Sequence, residues 1–389
     1  MGDVPLGYAI STVFAAVFVF LGLRPLPMKG PRLTAPFVLA TVSSELHFLM
    51  ALLVGAPTAL AAVEGDLASP VGLGTLALAT LTLGGVAWSV VLAARALGVL
   101  ESGLRAGLGR EVRLHRRLAP GEWLRILLAP LWWRRRDVVR TRDVRYGPAP
   151  GRSNLLDVYR SRDRTGAGPA LVYFHGGGFY SGVKSREGRL LLERLASRGW
   201  VCVSADYRLR PAQFPDQVVD AKRVIRWLRT EGPAYGVDPS AVVVAGGSAG
   251  AHMALMCALT ANDARFQPGF EDVDTSIAAA VGLYGYYGKA SNGALPSSPS
   301  AYLGTGAPPV LLVHGALDPM VPVENARRFA DALRAHTRAP VVWTELPGGL
   351  HTFDRFASVR SAAVALGVEE FAERVVDDDT SWSPDPSSH

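Results

Sequence analysis

The sequence predicts an α/β protein, in which a mostly parallel sheet with helices on both faces is preceded by about three transmembrane helices. Two observations support this fold class. The first 94 residues contain three long runs with almost no charged side chains. From about residue 143, short strand-like segments such as ALVYF and AVVVAG alternate with helix-like segments such as QVVDAKRVIRWLRTE. Strands that alternate with helices are typical of a parallel sheet covered on both faces.

The three apolar runs cover about residues 4–23, 35–56 and 70–94. Each is near or above the ~20 residues that a helix needs to cross a ~30 Å hydrocarbon core. A cleaved signal peptide is the alternative for the first run. Signal peptides begin with a basic segment, whereas this chain begins MGDVPLG. We therefore expect a permanent multi-pass anchor in the cell membrane over residues 1–94.

The charges between the runs predict an orientation. The first connector carries Arg24, Lys29 and Arg32, and the second carries Glu64 and Asp66. Because basic connectors stay on the cytoplasmic side, the first connector and everything after the third run are predicted to lie in the cytoplasm.

Glu45 is the one acidic residue in the second run, with His47 close by and Ser43 and Ser44 adjacent. A carboxylate within a membrane span is costly unless it has a partner, so it is a functional candidate by default. The simpler alternative is a protonated or hydrogen-bonded Glu45 inside a three-helix bundle.

Residues 95–142 form a basic segment with 12 Arg and four acidic residues, an excess of 12 − 4 = +8. The segment also contains EWLRILLAPLWWRRRD, which mixes Trp and Leu with Arg. This mixture suits a membrane surface, where Trp lies at the level of the headgroups and Arg neutralises anionic lipid. A solvated linker helix is the main alternative. We expect membrane lipid as a partner and no nucleic acid.

Residues 143–376 are predicted to form the α/β domain, and residues 377–389 an acidic, disordered tail. Cys202 and Cys257 fall in apolar segments, which indicates reduced thiols in the core and no disulfide framework. The composition says nothing about the oligomeric state.

Ser248 lies in AVVVAGGSAGAHMAL, between a strand-like and a helix-like segment. Gly246 and Gly250, two residues on either side, lack side chains where the strand and helix must pass close together. This pattern predicts the tight strand-to-helix turn called a nucleophile elbow, although a short motif of such common residues also arises by chance.

His175 is followed by Gly176, Gly177 and Gly178 directly after the strand-like ALVYF. Successive glycines expose backbone N–H groups and allow a substrate oxygen to approach, as an oxyanion hole requires. A flexible turn is the alternative. The second donor is expected from Ala249, at the start of the helix after Ser248. His175 is expected to fix this loop by hydrogen bonding rather than to act as a base.

A serine nucleophile needs a base to take its proton, and the base needs a carboxylate to hold its tautomer. Asp318 follows the strand-like PVLLV, and His351 follows the strand-like PVVWTEL. The predicted triad is therefore Ser248, Asp318 and His351, with no metal and no cofactor. The open alternatives are Glu324 or Asp331 as the acid, and His314, His336 or His252 as the base.

Seven motifs in one order carry a resemblance to a known family. They are HGGGF, DYRLRP, FPDQVVDA, GVDP, GGSAG, HGALDPMVP and LHTFD. Over about residues 143–376 the chain resembles the hormone-sensitive-lipase-like esterases of the α/β-hydrolase superfamily. The resemblance implies the α/β-hydrolase fold, with Ser248 as nucleophile, His351 as base and then acid, Asp318 as its orienting carboxylate, and Gly177, Gly178 and Ala249 as oxyanion donors.

The chain departs from the family pattern in three places. Gly247 stands where these esterases often have Asp or Thr, and Ala251 stands where a second glycine is usual. The helical cap that such enzymes carry before the first strand is replaced by the membrane region and the basic segment. The departures admit the feruloyl-esterase-like and arylformamidase-like branches.

We therefore expect a membrane-anchored serine carboxylesterase or lipase that acts on a small-molecule or lipid ester. Five aromatic residues near the expected site suggest an acyl pocket, although aromatic side chains near strand ends are more often core: Phe179, Tyr180, Tyr284, Tyr286 and Tyr287. An amidase, arylformamidase or deacetylase with the same triad is an alternative, and so is a ligand-binding module without catalysis.

Overall fold

The computed structural model describes residues 6–28, 34–114, 120–131 and 134–377. The helices along these residues are α1 (Leu6–Leu23), α2 (Thr34–Glu45), α3 (His47–Glu64), α4 (Pro70–Leu108), α5 (Pro120–Leu128), α6 (Arg189–Ser197), α7 (Asp216–Thr230), α8 (Ala249–Leu259), α9 (Val323–His336) and α10 (Val359–Asp377). The strands are β1 (Val138–Arg145), β2 (Leu155–Ser161), β3 (Gly168–Phe174), β4 (Val201–Ala205), β5 (Val237–Gly247), β6 (Ala279–Leu283), β7 (Val310–Gly315) and β8 (Val341–Leu346).

The eight strands form one sheet in the order β1-β2-β4-β3-β5-β6-β7-β8. Strand β2 is antiparallel to β1 and β4, and the pairs from β4 to β8 are all parallel. The predicted mostly parallel sheet is confirmed. Its carboxyl edge is where β3, β5, β6, β7 and β8 end, so the loops that follow these strands meet there.

Helices cover both faces of the sheet because the central strands are apolar on both sides. On one face, α6 and α10 pack on the sheet together with the second half of α4. On the other face, α7, α8 and α9 pack around Val172, Val244 and Leu312. Cys202 and Cys257 are free and buried in this core, as predicted.

Three helices in the described chain are long and apolar enough to cross a membrane: Leu6–Leu23, His47–Glu64 and Pro70–Leu108. The second differs from the predicted span over residues 35–56. The helix breaks at Leu46, whose φ of −103° and ψ of 54° separate α2 from α3. Glu45 therefore lies at the end of α2 and not midway along a span, which corrects the prediction.

The third apolar helix continues beyond the predicted limit at residue 94. Helix α4 has 39 residues and ends at Leu108, so it includes the first part of the predicted basic segment. Leu100 and Leu104 are fully buried against the sheet domain. This half of α4 therefore belongs to the α/β core. Its side chains cover a surface of β8 and α10 that would otherwise be exposed to solvent.

Close main-chain approach fixes α4 on β8. A Cβ on Gly107 would lie 2.8 Å from Val342 Cα, and one on Gly103 would lie 2.5 Å from Thr344 Oγ1. Further toward the helix start, Leu92 lies against Gly348, where a Cβ would be 2.9 Å from Leu92 Cδ1. Helix α4 thus runs antiparallel to β8, and its apolar first half extends beyond the carboxyl edge of the sheet.

One other predicted boundary changes. Strand β1 begins at Val138, inside the segment that was assigned to residues 95–142, because it pairs with β2 from Val138 to Arg145. Helix α5 exposes Leu124 and Leu128, as a membrane-facing segment would. Trp132, Trp133 and the predicted tail beyond Asp377 lie outside the described residues.

The contact between α4 and β8 gives a stability prediction. Replacing Gly107 by Ala forces the Val342 backbone to move, and overpacking of this kind costs about 1–3 kcal/mol. Gly98 on the same helix has open space around it, so Gly98→Ala should stabilise by ~0.5–1 kcal/mol through helix propensity alone. Thermal unfolding in detergent would measure both. Equal melting temperatures for the two variants would contradict the close packing.

Candidate active site

Ser248 lies on the turn between β5 and α8, where the elbow was predicted. Its φ of 54° and ψ of −114° are strained for a residue with a side chain. A Cβ on Gly246 would lie 2.3 Å from the carbonyl carbon of Gly250, and one on Gly250 would lie 2.0 Å from Phe174 O. The two glycines therefore permit the tight turn, which places Ser248 at the carboxyl edge.

Tyr284 explains the unusual glycine before Ser248. It follows β6, and a Cβ on Gly247 would lie 2.3 Å from its hydroxyl oxygen. The space that an Asp or Thr side chain would need at position 247 is therefore filled by the Tyr284 side chain. At this position the chain has a glycine and a neighbouring tyrosine where the family often has an Asp or Thr side chain. The difference changes the packing at the elbow and removes no reacting group.

Asp318 and His351 are in direct contact. His351 Nδ1 donates to Asp318 Oδ2 at 2.6 Å, and the Asp318 Oδ1 accepts the N–H groups of Met320 and Val321 at 2.9 and 2.8 Å. Burial raises the pKa of Asp318, but the charge of His351 and hydrogen bonds from His314 and His351 outweigh it, so this pKa is below its ordinary value. Asp318 is thus held as a carboxylate against the imidazole.

Tyr284 also packs between the elbow and His351. Its ring lies in an edge-to-face contact with His351, with 4.8 Å between the ring centroids, while its hydroxyl lies against Gly247. Between Ser248 Oγ and His351 the described structure has no hydrogen bond, and Tyr284 contacts His351 on one side and lies against Gly247, the neighbour of Ser248, on the other. Catalytic hydrogen bonds are often long in free enzymes and shorten in the complex with substrate.

The competing acids and bases have other contacts. Asp331 pairs with Arg334 on the exposed face of α9. His314 lies 3.2 Å from Asp318 Oδ2 and is hydrogen-bonded to Val321 O. His252 is buried and hydrogen-bonded to Ser297 O, and His336 is exposed at the end of α9. Of the candidates, His351 is the one whose Nδ1 is bonded to a carboxylate while it lies on a loop at the carboxyl edge.

The glycine loop after β3 has the backbone that an oxyanion site requires. Gly177, Gly178 and Phe179 have φ values of 121°, 62° and 66°, and no described residue accepts a hydrogen bond from the N–H of Gly177 or Gly178. Ala249 is the first residue of α8, so its N–H has no partner within the helix.

Gly176 does not fit the role of a donor. Its N–H donates to Glu187 Oε2 at 2.6 Å, so this amide is not available to an oxyanion, which corrects that part of the prediction. His175 holds the loop as expected, since its Nδ1 donates to Gly176 O at 2.7 Å and its ring stacks on Tyr207. Burial lowers the pKa of His175, which keeps the ring neutral.

A buried acidic network beneath the site was not predicted. Asp354 accepts the Tyr173 hydroxyl at 2.6 Å and the Tyr284 hydroxyl at 2.5 Å. Burial and then the negative charge of Glu187 raise the pKa of Asp354 to about 6. The sequence held a signal for Asp354, its place three residues after His351 in LHTFD, whereas the contacts of Tyr173 and Glu187 come from distant segments.

A cavity of about 760 Å³ opens between the glycine loop and α8. It extends from Phe179 on the glycine loop to His252, one turn into α8, and its other lining residues include Arg210, Phe214, Val218 and Asn292. Of the five aromatic residues suggested for an acyl pocket, Phe179 lines this cavity. Tyr284 and Tyr287 are buried in the core, and Tyr180 is exposed.

Comparisons with known proteins agree with this geometry. The family model described as BD-FAE matches residues 156–288, and the one described as TAP-like protein matches residues 291–362. Esterase LipC of Mycobacterium tuberculosis is 35% identical over 271 residues, covering 62% of this chain and 67% of LipC. The chain belongs to the hormone-sensitive-lipase-like esterase family of the α/β-hydrolase superfamily.

Two further proteins are similar to this chain. "Probable carboxylic ester hydrolase LipM" of M. tuberculosis is 38% identical over 269 residues, which is 62% of each protein. The match therefore spans less than two thirds of LipM. A solved structure of Thermogutta terrifontis esterase 2 phosphorylated by paraoxon is 28% identical, has a TM-score of 0.53, and covers 64% of this chain and 97% of its own.

The raised pKa of Asp354 predicts a pH-dependent stability. Because its folded-state pKa of about 6 exceeds the ordinary value of 3.8, the stability from the protonated carboxyl is present below pH ~4 and is lost as the pH rises through ~6. An amide at position 354 does not ionise, so Asp354→Asn should not lose stability as the pH rises. The variant should therefore be more stable than wild type at pH 8 by on the order of 2–3 kcal/mol, and equally stable near pH 4.

Thermal melts from pH 4 to pH 8 would test this expectation. Asp331→Asn, on the exposed face of α9, is the matched control and should follow the wild type throughout. An Asp354→Asn variant that is less stable than wild type at every pH would show that the buried group is a carboxylate over the whole range.

Proposed function

We propose that this chain is a membrane-anchored serine esterase that cleaves carboxylic esters through an acyl-enzyme on Ser248. The observation that carries the proposal is the Asp318–His351 pair, joined at 2.6 Å at the same sheet edge as the strained turn of Ser248. The names of LipM and LipC, a carboxylic ester hydrolase and an esterase, support the reaction class.

The proposed reaction has two halves. His351 Nε2 takes the Ser248 proton as Oγ attacks the ester carbonyl carbon, and Asp318 stabilises the charged imidazole. The carbonyl oxygen becomes negative and accepts from the N–H groups of Gly177, Gly178 and Ala249. The C–O bond then breaks, the alcohol leaves with the proton from His351, and water activated by His351 releases the acid and regenerates Ser248.

The cavity next to the glycine loop supplies room for one part of the ester. Its lining combines Phe179, Phe214 and Val218 with polar groups of Gln213 and Asn292. Binding sites of this kind are concave, with a few polar groups among apolar ones. Six of the twelve lining residues are polar or charged, so the cavity fits an ester that presents both apolar and polar groups.

The membrane anchor is proposed from the three apolar helices and from the course of α4. Leu92 lies against Gly348, three residues before His351, and Arg95 is the first charged residue after the apolar run. Leu92 and Arg95 are ~4.5 Å apart along a helix that rises 1.5 Å per residue. The proposed anchor therefore places the His351 loop at the inner membrane surface, close to a lipid ester.

Hydrolysis of aryl esters graded in acyl length, beside an aryl formamide, tests the reaction. The solubilised protein should cleave the esters and be labelled by a fluorophosphonate, and Ser248→Ala should lose both because the attacking oxygen is gone. Removing triad residues costs on the order of 10⁴–10⁶ in rate. Ser240→Ala, on the exposed first part of β5, is the matched control and should keep both.

Other outcomes of this assay would change the proposal. A preference for the formamide would favour an amidase or arylformamidase with the same triad. An absence of turnover and of labelling in the wild type would contradict the enzyme and favour a ligand-binding module.

The orientation gives a separate prediction. Protease added to intact cells should leave the domain of residues 138–377 undigested, because the basic first connector is expected to keep it inside. Permeabilised cells are the control, in which the domain should be cut. Digestion in intact cells would reverse the proposed orientation.

A further inference from the structure

A buried ion pair joins α2, which lies between the first two apolar helices, to α10, which follows the loop that carries His351. Glu45 at the end of α2 and Arg360 at the start of α10 form a salt bridge, and both side chains are fully buried. Ser358 also donates to Glu45 Oε2 at 2.6 Å. The pair is made between residues 315 positions apart, so it connects two units of the fold and is not local to either.

Each charge lies at the unfavourable end of its own helix. A guanidinium at a helix N-terminus and a carboxylate at a helix C-terminus are both opposed by the helix dipole. Buried ion pairs are weak stabilisers because desolvation offsets their attraction. General stability is therefore a poor explanation for this pair, and its remaining contacts indicate what it does.

Those contacts reach the loop between β8 and His351. Arg360 Nη2 donates to Pro347 O at 3.3 Å, and the Ser44 hydroxyl donates to Gly348 O at 3.3 Å. Arg360 Nη1 also donates to Ser44 O at 3.2 Å. The Glu45–Arg360 pair thus fixes the main chain three and four residues before His351 against the end of α2.

Apolar and backbone contacts hold the His351 loop and the loop of Asp318 that lies next to it. Leu350 is fully buried in a cluster with Leu21 and Ala40. Leu317, next to Asp318, donates to Gly349 O at 2.9 Å, and Met28 donates to Pro319 O at 2.8 Å. The loops of the proposed acid and base are therefore packed on the inner ends of the membrane helices.

We infer that Glu45 and Arg360 are positioning residues, which hold the His351 loop on the membrane helices in the orientation needed to act on Ser248. The inference rests on the proposed function, because it assigns a support to the proposed base. A displacement of about 1 Å in a catalytic group can cost on the order of 10²-fold in rate. Loss of the pair should therefore lower kcat and leave KM almost unchanged.

The test uses the full chain in detergent with four variants. Glu45→Gln leaves the Arg360 charge buried without a partner, so this variant is expected to be the least stable. The double variant Glu45→Gln with Arg360→Gln removes both charges and leaves no buried charge unpaired. Glu369→Gln breaks another buried pair on α10, with Arg194, away from the site, and is the matched control.

Two readouts distinguish positioning from structure. With a short aryl ester, and with sites counted by fluorophosphonate labelling, the double variant should lose at least about 10-fold in kcat while the control stays within twofold. Glu45→Asp, which keeps the carboxylate, should restore part of the rate lost in Glu45→Gln.

Hydrogen exchange measured by mass spectrometry is independent of the reaction. Amides of residues 347–353 should exchange faster in the double variant than in the wild type and the control, whether or not the ester assay succeeds. A folded double variant with wild-type exchange in residues 347–353 and wild-type kcat would overturn the inference, as would a control that changes both readouts equally.

Discussion

The packing of α4 on β8 is the constraint on which the arrangement of this protein depends. Gly103 and Gly107 remove the side chains that would separate helix and strand, so the two backbones are in contact and one helix continues from the apolar region into the α/β core. Because α4 runs antiparallel to β8, the apolar helices must extend from the carboxyl edge, where the site lies. The opposite direction would place them at the other edge of the sheet.

This arrangement changes what surrounds the candidate site. In the enzymes that the chain resembles, a helical cap precedes the first strand. Here Leu21 of α1, Ala40 of α2 and Met28, which follows α1, contact the loops of Asp318 and His351. Residues that would otherwise be exposed on these loops are buried, and Leu350 has no exposed surface. The apolar helices therefore supply packing to the loops of Asp318 and His351.

Burial at the carboxyl edge requires that every acidic group has a defined set of donors. Asp318 has His351 and two backbone N–H groups, Asp354 has two tyrosine hydroxyls, and Glu187 has the Gly176 N–H. Burial acts to raise the pKa of Asp318 and of Asp354, but their neighbours differ. At Asp318 the two histidines outweigh burial and lower the pKa, whereas at Asp354 the negative charge of Glu187 adds to burial and the pKa is raised. One edge thus holds a charged carboxylate and a group that takes up a proton near pH 6.

The sequence by itself determined the fold class, the turn of Ser248, the glycine loop and the order of Asp318 and His351, because each depends on residues that are neighbours in the chain. Alternating apolar segments predict a covered parallel sheet, and a glycine pattern predicts a tight turn. Only the tertiary structure decided that Tyr284 fills the space beside Gly247, that Glu187 occupies the Gly176 amide, and that Glu45 pairs with Arg360. These contacts join segments that are from 11 to 315 residues apart, and no local pattern records which distant side chain fills a given space.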